Sequence, residues 1–139
     1  MSVAVRRASK KDIPEIGRLL QAVFDEFDHE YSDVERDRLT TAIANLADRW
    51  DEGPVWVACE DGRVVGTVTA VPKDGSVYVR SMAVLADTRG QGVGRQLLET
   101  TDAFARESGC ERLYLSTAPY FVAAIRLYDR AGYGRLEGP

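Results

Sequence analysis

The chain has 139 residues, room for one domain (1–139) with a sizeable core and short for two. A hydrophobic fraction of 45% and a charged fraction of 29% are ordinary for a globular protein, and a net charge of −4 excludes a basic nucleic-acid footprint. No apolar run approaches the ~20 residues of a membrane span. The first twelve residues lack the apolar core of a signal peptide, so a cytoplasmic protein with no membrane partner is expected. Cys59 and Cys110 show neither a disulfide framework nor metal-ligand spacing, and no metal is expected.

Val3 to Ala8 alternate as a half-buried first strand would. A helix follows: Ser9 caps it, Asp12 completes a capping box, and Ile13, Ile16, Leu19, Leu20 and Val23 recur at helical spacing. Pro14 falls in the first turn, where a lost N–H matters least. A second helix is expected from Asp33 to Trp50, with Leu39, Ile43, Leu46 and Trp50 on one stripe. Three strands come next, Pro54–Glu60, Arg63–Val71 and Ser76–Val84. Asp61-Gly62 and the segment Pro72–Gly75 connect them as tight turns, so they form an antiparallel meander. Val93 to Gly109 reads as a helix ended by glycine, and Arg112 to Thr117 as a short strand. Strand, helix, strand in that order implies a parallel crossover. A last helix spans Phe121 to Tyr133, stopped at Gly132.

Between the meander and the third helix lies Arg89-Gly90-Gln91-Gly92-Val93-Gly94-Arg95. Three glycines in five residues exceed what a strand-to-helix junction requires. Bare backbone allows a ligand to come close, and the free N–H groups of a helix's first turn form an anion site. Arg89 and Arg95 add charge suited to phosphate. A Walker loop would need Gly-Lys-Ser/Thr where Gly-Arg-Gln stands, and a dinucleotide fingerprint would space its glycines differently.

Arg89-Gly90-Gln91-Gly92-Val93-Gly94 resembles the R/Q-x-x-G-x-G/A acyl-CoA signature of the GNAT N-acetyltransferases. Ala124, Leu127, Tyr128, Gly132 and Tyr133 resemble that family's A-x-x-L-Y-x-x-x-G-F/Y segment, and the order β-α-α-β-β-β-α-β-α is similar to the family's. The resemblance implies an α/β GNAT fold: a mixed central sheet flanked by helices, with splayed fourth and fifth strands. It implies acetyl-CoA as co-substrate, its pyrophosphate on the N–H groups from Gln91 to Arg95 and its pantetheine arm on the backbone of Met82 and Val84. Tyr128 matches the family tyrosine that returns a proton to the departing thiolate, and the Met82 N–H would polarise the thioester carbonyl.

Two positions depart from the family pattern. Phe121 stands where many members carry asparagine, and Tyr78 where an acid often serves as base. Tyr78, Arg80, Met82 and Val84 are expected on one face of their strand. The acidic run Asp25 to Asp33, with Glu26 and His29, is the alternative source of a base or of attraction for a cationic amine. Only Gly134 to Pro139 follow Tyr133 where the family usually adds two strands, so the C-terminal strands look cut short and a homodimer covering the open edge is expected. The reading is an N-acetyltransferase acting on a small cationic primary amine. Its alternatives are an acyl-CoA-binding module without catalysis and a peptide N-terminal acetyltransferase.

Overall fold

The computed structural model describes residues 2–115 and 122–134. In chain order its elements are β1 (Val3–Arg7), α1 (Ile13–Asp25), α2 (Asp33–Ala44), β2 (Val55–Glu60), β3 (Arg63–Lys73), β4 (Ser76–Val84), α3 (Val93–Glu107), β5 (Arg112–Leu115) and α4 (Val122–Arg130). Five strands form one sheet in sequential order, antiparallel from β1 to β4 and parallel between β4 and β5. The meander and the parallel strand beyond α3 are as expected. Residues 116 and 117, the expected end of β5, and Phe121, the expected start of α4, lie outside the described residues. So do residues 135–139.

Both hairpins turn on Asp-Gly. Asp61 and Gly62 have φ of 51° and 78°, and Asp74 and Gly75 have 52° and 77°. Positive φ at both positions gives a turn whose twist matches that of the strands. The second turn is tighter than the expected Pro72–Gly75, because β3 continues through Pro72 and Lys73, opposite Val77 and Ser76.

Alternation along the strands feeds two cores. Val57 and Val64 pack with Ile16, Leu19, Leu20 and Val23, the expected stripe of α1. Ala58, Val65, Val68 and Val79 pack with Val93 and Leu97 of α3. β3 is therefore buried continuously from Val64 to Ala70. Entry into α1 follows the expected capping box: the Ser9 N–H donates to Asp12 at 2.8 Å, and Arg6 donates two hydrogen bonds to the same carboxylate.

α2 is shorter than expected. It stops at Ala44, and bonds to the third preceding residue take over: Leu46 to Ile43, Trp50 to Ala47, Glu52 to Arg49. These turns wind at nearly the helical period, so Ile43, Leu46 and Trp50 still reach the core and the sequence pattern runs on past the helix end. Gly53 closes the segment. Its backbone is extended, but a Cβ there would overlap the Ala70 carbonyl oxygen, so glycine lets this turn lie directly on β3.

β4 holds one residue more than its partner. Thr69 faces Arg80 and Thr67 faces Ala83, which leaves Ser81 and Met82 opposite Val68. Ser81 takes up the excess at φ 54°. This bulge corrects the expected single face: Tyr78 and Arg80 share the α1 side with Ala83, while Met82 and Val84 pack on the α3 side. Described pairing between β4 and β5 ends at Val79 and Leu115. The expected splay falls beyond that point, opposite residues outside the described set.

Among the described residues no helix is long and apolar enough to cross a membrane, and no group of His, Cys, Asp or Glu is placed to hold a metal. Cys59 and Cys110 are free thiols.

Gly53→Ala should cost about 3 kcal/mol, a melting decrease of about ten degrees, because backbone must move to admit the methyl group. Calorimetry checks it. Asp12→Asn should cost about 1 kcal/mol at pH 7, the usual worth of a cap. Arg6, then the Ser9 N–H, hold the Asp12 carboxyl down to about 2, from an ordinary value of 3.8. A carboxyl depressed by folding stabilises the protein above its unfolded pKa and loses that effect as pH falls through the folded one. Urea titrations should therefore show the difference between parent and variant closing as pH falls from 5 to 2.

Candidate functional site

A cavity of about 1230 Å³ opens where β4 continues past its last described β5 pair. Its floor is β4 from Tyr78 to Val84, one wall is the start of α3, and another is α4. Phe24, Phe27, Leu39, Leu46 and Trp50, from α1, α2 and the segments that follow each, supply an apolar roof.

The glycines divide by function. Gly90 and Gly92 have φ of 84° and 82°, and among the described residues nothing crowds either position. Gly92 is the N-cap of α3, and the first backbone bond of that helix runs from the Gln96 N–H to the Gly92 carbonyl. Val93, Gly94 and Arg95 therefore leave their N–H groups without a backbone acceptor among the described residues, at the cavity wall and at the positive end of a helix. Gly94 differs. It is helical, and a Cβ there would lie 2.6 Å from Leu127 Cδ2 and 3.4 Å from Met82 Cε. It is bare because α4 rests on it.

The two flanking arginines also divide. Arg89 donates from Nε to the Val84 carbonyl at 3.1 Å, and its terminal nitrogens grip Glu26 at 2.6 and 2.9 Å. Two residues singled out separately, one for cofactor and one for substrate, thus hold each other and fasten the end of α1 to the loop. Arg95 is exposed and lies 3.7 Å from Glu99. Gln91 lines the cavity beside it.

Tyr128 and Tyr78 both line the cavity. Tyr128 lies 5.9 Å from the Tyr133 ring, and Tyr78 lies 5.2 Å from that of Tyr114. Burial, and then the neighbouring Tyr78, push the Tyr128 phenol above its usual 10, so it keeps its proton at neutral pH. Burial raises Tyr133 further, to about 12.

The acidic run does not enter the cavity. Asp25 accepts from Gln21, while Asp28 and Asp33 are held by Arg36. His29 is exposed and lies 3.2 Å from Glu30. Among the described residues no aspartate, glutamate or histidine lines the cavity. Its charged lining is arginine. Arg126 and Arg130 come from α4, Arg38 and Arg49 from α2 and the turns after it, and Arg80 from β4. Arg80 reaches Glu52 at 2.6 Å, and Arg49 grips the same carboxylate at 3.0 and 3.1 Å. Those hydrogen bonds, Arg49 first, hold the Glu52 carboxyl down to about 2. Sequence reasoning did not weigh these arginines as site residues, because no motif specifies them: Arg126 and Arg130 stand at unspecified positions of the 124–133 segment, and the others lie outside it. The only signal for the roof pair was weak: two cations close to the apolar stripe of α2.

A model of the Acetyltransferase (GNAT) family matches residues 19–133. The chain is 40% identical over 81 residues to a probable N-acetyltransferase, camello, of Xenopus tropicalis; the match covers 56% of this chain and 37% of that protein. It thus spans little more than a third of that relative's length. It is 29% identical over 145 residues to the uncharacterized N-acetyltransferase YjgM of Escherichia coli K12, covering 98% of this chain and 84% of that protein. The PaiA N-acetyltransferase of Thermoplasma acidophilum, solved in complex with coenzyme A, has the same fold. Its TM-score is 0.85 at 12% identity, over all of this chain and 94% of that one.

The Arg89–Glu26 pair should couple by about 1 kcal/mol, near the upper end for a partly exposed ion pair, since its geometry is bidentate. A double-mutant cycle with Arg89→Gln and Glu26→Gln in urea measures it. Equal and additive losses would mean that the two side chains act independently.

Proposed function

This chain belongs to the acetyltransferase (GNAT) family, and on that premise we propose that it moves the acetyl group of acetyl-CoA to a primary amine. The observation that carries the reading is the start of α3, with its bare glycines and unpartnered N–H groups, lining the same cavity as the protonated phenol of Tyr128. The coenzyme A complex of the PaiA relative supports the choice of co-substrate.

In this reading the pyrophosphate of acetyl-CoA lies on the N–H groups from Gln91 to Arg95. Arg95 adds charge, and open space at Gly90 and Gly92 admits the phosphate oxygens. The bulge takes Met82 out of the regular β3 ladder, and its N–H serves as donor to the thioester carbonyl oxygen. The backbone of Met82 and Val84 pairs with the pantetheine arm. The amine nitrogen attacks the carbonyl carbon, the C–N bond forms, and the C–S bond breaks. The Tyr128 hydroxyl gives its proton to the sulfur, and the resulting phenolate takes a proton back from water, which also receives the surplus proton of the attacking nitrogen. A phenol near 10 or above is a weaker acid than a thiol near ~8.5, so this transfer accompanies bond cleavage rather than preceding it.

The amine must be neutral to attack. With no carboxylate or imidazole in the described lining, the reading has the free amine enter and release its proton to water. Rate should then rise with pH as the ammonium deprotonates. The cationic acceptor expected from the acidic run finds no acidic side chain in the described cavity.

Tyr128→Phe keeps the ring and removes the donor. Release of CoA thiol should fall by roughly 10²–10⁴-fold while acetyl-CoA affinity survives. At a hundredfold excess over its dissociation constant acetyl-CoA should stabilise the parent by ~2.7 kcal/mol, several degrees of melting temperature, and Gly92→Asp should abolish that shift. No shift at millimolar acetyl-CoA would sink the reading. A fully active Tyr128→Phe enzyme would remove the tyrosine from it.

A further inference from the structure

Resting on that reading and specifying its acceptor, we infer that the amine carries a carboxylate, held by the guanidinium groups of Arg38, Arg49 and Arg80 at the roof side of the cavity. Charge balance comes first. Glu52 neutralises one of the two arginines that grip it, which leaves one positive charge, and Arg38 has no acidic partner among the described residues. The roof end of the cavity therefore holds two uncompensated positive charges and no acid in its described lining.

Donor geometry comes second. Arg80 engages Glu52 through one terminal nitrogen, and Arg49 through its Nε and one terminal nitrogen. Each keeps N–H groups for a further carboxylate oxygen, and a guanidinium suits a carboxylate in a way that a point charge does not. Glu52 fixes both arginines and so limits the rotamer freedom that a ligand would otherwise have to remove.

Placement comes third. Arg95, Arg126 and Arg130 belong to the cavity walls formed by α3 and α4, where the cofactor phosphates lie in the proposed function. Arg38 and Arg49 belong to the roof, and Arg80 stands one residue before the bulge, next to Ser81 and two from Met82. A carboxylate bound there lies on the acceptor side, a few strand residues from the transferring carbonyl, at about 3.3 Å per residue. Phe24, Phe27 and Trp50 line the same end and accommodate the carbon skeleton of an amino acid. A polyamine would meet like charge.

The test is thiol release, read as kcat/KM, with amino acids, their amides and decarboxylated counterparts, and spermidine. Amino acids should exceed their amides by at least about tenfold, a difference that added salt reduces. Arg38→Gln disturbs no ion pair among the described residues. It should raise KM for the acids about tenfold, leaving kcat, acetyl-CoA stabilisation and KM for the amides unchanged. Arg38→Glu should move the preference toward spermidine. Amides or polyamines as the best substrates of the parent enzyme would overturn the inference, as would Arg38→Gln raising KM for acids and amides alike. Either result leaves acetyl transfer itself standing, because turnover is still observed. Acetyl-CoA stabilisation with no member of the panel acetylated overturns the inference too. Absence of that stabilisation removes the acetyl-CoA reading and this inference with it.

Discussion

One surplus residue in β4 has to be accommodated somewhere, and Ser81 accommodates it at positive φ. A serine held there costs on the order of 1–3 kcal/mol and persists only where its surroundings enforce it. Here they do, because ladder pairs on either side, Thr69 with Arg80 and Thr67 with Ala83, fix the strand before and after. The bulge changes which side chains face which layer. Upstream, Tyr78 and Arg80 look toward the layer of α1 and α2. Downstream, Met82 and Val84 look toward α3. A single strand thereby serves both sides of one cavity: the roof with its arginines, and the helix start with its unpartnered amides. Without the extra residue Met82 would fall on the face of Tyr78, away from Gly94 and Leu127.

The electrostatics of the cavity oppose those of the chain. Net charge is −4, yet the described cavity lining carries only positive charged side chains. Acidic residues near the site are held by arginines outside the cavity lining or at its edge, Asp28 and Asp33 together by Arg36 and Glu26 by Arg89. Glu52 stands behind two arginines. Total charge governs how the molecule moves among its neighbours, whereas the field inside a low-dielectric cleft is set by the groups that line it.

Much of the fold was legible in the sequence because its signals are local. The two Asp-Gly hairpins, the capping box of Ser9 and Asp12, and the apolar stripes of α1 and α3 each lie within a few residues of chain. The glycine loop stood out for the same reason, but not the separate surroundings of Gly94, which depend on a leucine 33 positions later. Glu26 and Arg89 are 63 positions apart, and nothing in either neighbourhood announces their pairing. Ser81 offered no sign of the bulge, since its type does not advertise positive φ. The end of α2 was hidden because the tighter turns that follow it repeat the helical spacing. The acidic run misled for a simpler reason: composition counts charges, and only the fold decides which way they point.

The contact between Gly94 and Leu127 joins two motifs that are read separately along the chain. One belongs to the glycine loop, the other to the helix that carries Tyr128. A Cβ at Gly94 would lie 2.6 Å from Leu127 Cδ2, so any side chain there requires the end of that leucine to swing aside. The two positions are therefore coupled in volume. A substitution made in the glycine loop is felt, through one leucine, by the helix that presents Tyr128 to the cavity.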